Sequence, residues 1–184
     1  MKKLFPIVLV VLSLGLLGAG GYTLGRGFDA KAQVRDELAA QKIVTPEDAS
    51  IPNAQVKDAA TAKSMADIIG VHADKITDGK TYAELGRFLA VDGGDTSDEA
   101  EAMKDAAGNP VPNPVRNTAF QASALRTSLY TSVMAFDVAN LVIGIGALIL
   151  VFGFVVGGLG VVLAGLSIPA FARRFRVEPV AATA

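Results

Sequence analysis

Cysteine is absent from the chain, which excludes disulfide staples, thiolate nucleophiles, cysteine metal ligands and the lipidated cysteine of a bacterial lipoprotein. Histidine occurs once, at His72, so one chain cannot assemble the two histidines and carboxylate of a non-haem iron site. Tryptophan is missing and aromatics make up 7% of residues, leaving material for only a small aqueous core. No Gly-x-Ser-x-Gly elbow, phosphate loop or dinucleotide fingerprint occurs. A concentrated basic stretch is lacking too: within 26–126, twelve Lys and Arg lie among sixteen Asp and Glu, the opposite of a nucleic-acid-binding balance. These absences predict no catalytic residues, no cofactor, no metal site and no nucleic-acid partner. His72 falls near the apolar side of a helical pattern, where a structural role is expected. The carboxylates Asp92, Asp95, Asp98, Glu99 and Glu101 lack the spacing of a calcium loop and are expected to be solvated.

What the chain does have is two long apolar runs, Leu4–Leu24 and Leu141–Ile168. A hydrocarbon core about 30 Å thick is crossed by roughly 20 helical residues, and only a helix satisfies its own backbone there. Both runs qualify. Lys2 and Lys3 precede the first, while Arg173, Arg174 and Arg176 follow the second, so both termini are expected in the cytoplasm and the central region outside the plasma membrane. Lys2–Lys3, the first run and Gly18-Ala19-Gly20-Gly21 also fit a cleavable signal peptide. The run exceeds a signal core of about 7–15 residues, so an uncleaved anchor is expected. The expected organisation is a first membrane helix over 1–27, an extracytoplasmic helical region over 28–132, a second membrane helix over 133–172 and a cytoplasmic tail over 173–184.

Periodicity fills in the central region. Phe28–Gln41 reads as a helical stalk with Phe28, Val34 and Leu38 along one face. Thr45-Pro46-Glu47-Asp48 reads as a turn. From Asp58 to Thr77, Ala62, Met65, Ile68, Ile69, His72 and Ile76 recur at helical spacing. Thr81-Tyr82-Ala83-Glu84 is a capping box, predicting a further helix that buries Leu85, Phe88 and Leu89. Around 92–115, Gly, Asp, Glu, Asn and Pro predict a mobile acidic, proline-rich loop. A long helix from about Asn117 to Ile168 follows, with Phe120, Ala124, Leu125, Leu129, Val133 and Phe136 on one side. The fold class is an all-α membrane protein: two transmembrane helices in an antiparallel hairpin, extended by a stalk, with a small helical extracytoplasmic domain.

Four segments carry a resemblance: Thr45–Ala49, Ala66–Ala73, Asp78–Leu85 and Leu125–Phe136, in that order. They resemble a family of small two-span membrane proteins of Actinobacteria, and the similarity covers most of 41–146. Members often bear the label of an aromatic ring-opening dioxygenase small subunit, a name inherited by similarity. The resemblance implies the two-span architecture and supplies no established activity. Asp137 and Asn140 depart from the small residues usual there, and the acidic segment 92–108 is longer than the resemblance implies.

The second run carries Gly146, Gly153 and Gly160 at seven-residue spacing, with Gly157 and Ala164 in the same row. Such a face lets helix backbones approach closely where lipid provides no hydrophobic drive. Gly18, Gly21 and Gly25 form a corresponding face on the first run. Two uses remain open: the two runs packing on each other, or in addition a partner, another membrane protein or a second copy, packing on the second run, which carries more small residues than one neighbour needs. With Leu4 level with about Ala172, Asp137 would stand opposite about Ala39, either paired with Arg35 one turn away or solvated and paired with nothing. The composition points to a non-catalytic accessory or assembly subunit of a larger plasma-membrane complex, with a respiratory complex as one host by analogy. An extracytoplasmic small-ligand or ion sensor is the alternative, and a dioxygenase-like enzyme ranks third for want of catalytic residues.

Overall fold

The computed structural model describes residues 4–167. The charge clusters at Lys2, Lys3, Arg173, Arg174 and Arg176 and the tail over 173–184 lie outside them. The elements are α1 (Leu4–Ala40), α2 (Ala59–Thr77), β1 (Phe88–Leu89), β2 (Asp95–Thr96) and α3 (Pro114–Ser167). Of these, α1 and α3 are long and apolar enough to cross a membrane. The chain divides into two units, Met1–Ala32 with Val138–Ala184, and Gln33–Asp137.

In the first unit the apolar parts of α1 and α3 meet through glycines. A methyl group on Gly146 would sit 2.6 Å from the Leu24 backbone nitrogen, and one on Gly20 would sit 2.8 Å from that of Leu150. Gly27 faces Ile143, Gly153 faces Leu17, Gly157 faces Ser13 and Gly160 faces Val10. Along these contacts residue numbers rise on one helix as they fall on the other. Leu24 lies beside Gly146, whereas the expected register set it level with Phe152, a shift of about six residues or nearly two turns. The glycines decide this, because only their missing side chains allow backbone-to-backbone contact. Lys31 Nζ donates to Asn140 Oδ1 at 2.9 Å near the end of this contact. Leu12, Leu14, Phe152 and Phe154 are exposed on the outward faces.

The second unit has a small apolar core of Leu38, Val56, Ala62, Ala66, Leu129 and Phe136. Asp58 caps α2 by accepting the Thr61 N–H at 2.9 Å, and the Thr61 hydroxyl oxygen accepts the Asp58 N–H at 3.2 Å. The helix ends at Asp78, in a left-handed conformation with φ of 51°. Ahead of it, residues 43–56 fold on the buried Thr45. Its N–H donates to Ala54 O at 2.9 Å, and its hydroxyl oxygen accepts the Ala54 N–H at 2.9 Å.

The helix expected after Thr81 is one turn only. Glu84 accepts from the Thr81 N–H at 2.8 Å, as a capping box requires, but the chain then leaves the helix and pairs β1 with β2. Gly86 is the reason: its Cα lies against the Thr96 backbone, where no Cβ fits. The expected mobile acidic loop is likewise pinned in place. Bridges join Ala90 to Ala102, Lys104 to Pro110 and Phe88 to Pro112. Its acidic residues turn the chain locally: Asp92 accepts from Gly94 N–H, Asp98 from Ala100 N–H, and Asp105 from the N–H groups of Ala107 and Asn109.

Helix α3 starts at Pro114, earlier than expected, because Asn113 is its N-cap. Asn113 Oδ1 accepts the Val115 N–H at 2.9 Å, and proline occupies the first helical position. Within this unit α3 buries Ala119, Leu129 and Phe136, while Phe120, Ala124 and Leu125, expected on the inner face, are exposed. Continuing the Leu129–Val133–Phe136 row toward the helix start at 3.6 residues per turn leads to Arg126, Ala122 and Ala119, which form the inner face of the first turns in place of Phe120, Ala124 and Leu125.

Candidate functional site

Two helix faces of the second unit frame a polar cavity. On α2 the row is Gly70, Ala73, Asp74 and Thr77, and on α3 it is Ala119, Ala122, Ser123 and Arg126, each at intervals of three and four residues. All of these residues but Gly70 line a cavity of about 100 Å³ together with Lys80, Thr81 and Tyr82. Thr77 is 4% exposed, and its hydroxyl has no hydrogen-bond partner among the described residues. Arg126 Nε is buried and unpartnered in the same way. A methyl group on Gly70 would lie 2.8 Å from Arg126 Cζ, so the guanidinium rests directly on the α2 backbone. Lys80, also on the cavity wall, is engaged by Asp95 at 3.2 Å. The Gly86 N–H, and after it Lys80, hold the Asp95 carboxyl below its usual range.

Tyr82 separates this cavity from a more open groove of about 340 Å³ lined by Arg87, Asn113, Arg116, Asn117 and Phe120. Arg116 lies over the Tyr82 ring at 4.0 Å, and the Tyr82 and Phe120 rings are 5.8 Å apart. This is cation–π stacking reinforced by an aromatic contact. The groove borders the start of α3, yet the first N–H groups there are already taken: those of Val115 and Arg116 by Asn113 Oδ1, that of Asn117 by Asn113 O.

No family model, curated protein or solved structure matches the chain. A functional conclusion therefore rests on geometry.

The glycine residues singled out from the sequence divide cleanly. Gly146, Gly153, Gly157 and Gly160 all face α1. Gly18, Gly21 and Gly25 have nothing within 4 Å of a methyl group placed on them, and α1 contributes Gly20 and Gly27 to the contact instead. Arg35 binds its sequence neighbour Asp36, with Nη2 to Oδ1 at 2.8 Å, and no ion pair with Asp137 occurs among the described residues. The adjacent carboxylate is reached without ordering a second helix, and Asp137 stays exposed.

His72 meets the Asp48 carboxylate at 2.7 Å, tying the turn after Thr45 to α2, and this hydrogen bond lowers the Asp48 pKa. On the next turn toward the N-terminus, Lys63 and then the Tyr130 hydroxyl hold Asp67 below its usual carboxylate range. The His72–Asp48 and Tyr130–Asp67 contacts tie separate segments together, while Lys63–Asp67 lies within α2. Among the described residues no cluster of three or more histidine or carboxylate side chains is arranged to hold a metal ion.

Thr77, Tyr82, Arg87, Arg116 and Arg126 did not stand out in the sequence. Nothing in their spacing marks them as a set, since their neighbours along the chain do not say which side chains will face one another.

Proposed function

We propose that this chain is a two-span plasma-membrane protein with both termini in the cytoplasm and 28–132 outside, acting as a non-catalytic accessory or assembly subunit of a larger integral membrane complex. Its spans form an antiparallel hairpin in the bilayer. The observation that carries the reading is the division of the glycines. The row on the second helix is consumed by the first helix, whereas Gly18, Gly21 and Gly25 form a small-residue face with open space beyond it. A second transmembrane helix docks on such a face at close range, where packing and not water drives association. The single histidine and the absence of a nucleophile motif in the sequence support a binding role over catalysis, against the dioxygenase label of the family it resembles.

Affinity purification in mild detergent at native expression tests the proposal. The expected result is co-purification of one integral membrane partner, lost in Gly21→Leu while the variant chain stays folded. A chain that emerges alone and monodisperse would refute it. The topology is checked separately by single cysteines at Ser97 and Thr183, of which only the first should react with an impermeant reagent in intact cells.

An extracytoplasmic sensor is the second reading, favoured by one observation, the cavity walled by Thr77 and Arg126.

A further inference from the structure

We propose that the outward face of α3 in the second unit is a dimer seam, on which a second copy of this chain packs in parallel through Phe120, Ala124, Thr127, Thr131 and Met134. The proposal goes beyond the accessory-subunit reading, whose docking face is Gly18, Gly21 and Gly25 on α1, and it rests on that reading only for the placement of the chain in a membrane. The row runs along α3 at alternating steps of four and three residues, and every member is exposed, Phe120 at 56% and Met134 at 67%. That alternation averages about 3.5 residues per turn, the period at which two parallel helices keep one seam in contact. It lies away from Leu129 and Phe136, the residues that α3 gives to the core of its own unit.

Composition sets this face apart from the other helices of the same unit. On the part of α1 that belongs to the unit Arg35, Asp36 and Glu37 are exposed, and on α2 Lys63, Asp74 and Lys75 are. Over 117–136 of α3 the single charged residue is Arg126, and it is turned away from the row, against Gly70 on α2. The hydroxyls ask little of water as well: Thr131 Oγ1 donates to Thr127 O at 2.8 Å, and Ser132 Oγ, beside it, donates to Ser128 O at 3.1 Å. Such back-bonding satisfies a hydroxyl within its own helix, so this face can be covered without stranding those donors. A surface stripped of charge that still presents phenylalanine and methionine has the composition of an interface core.

Symmetry selects a second copy as the occupant. Copies inserted in one membrane share one orientation, so a two-fold axis along the membrane normal sets α3 parallel to its counterpart, with each row residue near its own equivalent. Self-facing suits a row without charge, whereas a charged row would oppose like with like. Beside the row opens a groove of about 340 Å³, lined by Gln33, Glu37, Leu38, Thr131, Ser132 and Ala135 among others. Thr131 and Ala135 are short, which leaves room for Met134 of the facing copy, an unbranched side chain suited to irregular holes. In the first unit α3 carries exposed Leu141, Ile145, Leu148 and Phe152 at the same alternation, where lipid covers apolar side chains with or without a helix. Only the second unit calls for a cover of protein.

Because the chain has no cysteine, cross-linking of single-cysteine variants of the full chain in intact membranes tests the seam directly. Thr127→Cys, Thr131→Cys and Met134→Cys should each form disulfide-linked dimers on mild oxidation. Leu125→Cys, 53% exposed on another side of the helix, should stay largely monomeric. Thr131→Glu sets like charges against each other across the axis and should weaken self-association in mild detergent about tenfold or more by sedimentation, while the exposed site leaves the melting temperature of the separated chain unchanged. Cross-linking at none of the row positions, cross-linking as strong at Leu125 as on the row, undiminished self-association in Thr131→Glu, or capture of a different protein by the row cysteines in place of a second copy would each overturn the proposal. Gly21→Leu separates it from the accessory-subunit reading. The row cross-links should persist in that background when the membrane partner is lost, and their disappearance with the partner would mean that the partner, not the seam, holds the copies together.

Discussion

The two units reach order by opposite routes. Where α1 and α3 meet in the first, cohesion comes from what is missing: glycine at Gly20, Gly27 and Gly146 brings one backbone against another. In the second, Gln33–Asp137, a thin apolar core is supplemented by side chains bonded to backbone, with Thr45, Asp58, Asp95, Asp105 and Asn113 each holding a turn or cap. The difference follows from the surroundings proposed for each. Lipid offers no hydrophobic reward for helix association, so close packing must supply it. A small aqueous unit poor in aromatics cannot bury enough apolar area and relies on satisfied polar contacts.

The sharpest way to break this contrast is to add one methyl group to the first unit. Gly146→Ala should destabilise the packing of the two apolar helices by about 1–3 kcal/mol or more, since the clash is with backbone that cannot step aside. Gly21→Ala on the open face should stay within about 0.5 kcal/mol. Unfolding in graded denaturing detergent separates the two, and equal behaviour would mean that the glycines do not set the contact.

A comparable loss is expected in the second unit from a polar deletion. Asn113 is 4% exposed; it caps α3 and donates from Nδ2 to Gly86 O at 3.0 Å. Asn113→Ala should cost about 2 kcal/mol by removing a cap and stranding a buried carbonyl. The readout is chemical denaturation followed by Tyr fluorescence, since Tyr82 and Tyr130 both lie in this unit.

Acid should act on the second unit selectively. Asp48, Asp58, Asp67, Asp95, Asp105 and Glu84 all have folded-state pKa values below their ordinary ones, owing to hydrogen bonds that favour the ionised form. A depressed carboxylate contributes stability that is complete above its unfolded pKa and is lost as pH falls through the folded one. Melting temperature should therefore be flat above about pH 5 and decline below about pH 4. Asp95→Asn should be less stable at neutral pH and show a shallower decline.

The smallest effects are expected at Arg35 and Asp137. Both are exposed and share no ion pair among the described residues, so Arg35→Ala and Asp137→Asn should each shift stability by no more than about 0.5 kcal/mol. A strongly non-additive double mutant would reinstate the expected contact.

Legibility also differs between the units. The two apolar helices were evident in the sequence because membrane thickness imposes a length that few other constraints demand. The second-helix glycine row was evident as well. Its partners were not: Gly18, Gly21 and Gly25 make as good a face as Gly20 and Gly27, and only the register between helices chooses. Helix α2 could be read from its period and cap. The Thr81–Glu84 box misled because its hydrogen bonds are identical in a single turn and in a full helix, and the deciding contact, Thr96 backbone against Gly86, comes from ten residues away. Loop composition around 92–115 hid its structure for a related reason, since Asp and Gly that favour disorder in bulk also make tight turns when bridges form on either side. The Thr77–Arg126 cavity could not be inferred, because having no partner is a property of neighbours in space.

Gly70 and Thr77 set a trap for anyone improving this protein. Screening for heat resistance would favour alanine at the first position and valine at the second, since helix propensity and removal of an orphan hydroxyl both reward the change. Each gain would reshape the wall of the cavity between α2 and α3, unseating Arg126 from the α2 backbone at the first position and removing the buried hydroxyl at the second. Variation among natural relatives offers a way to tell whether function or folding has been guarding these two positions.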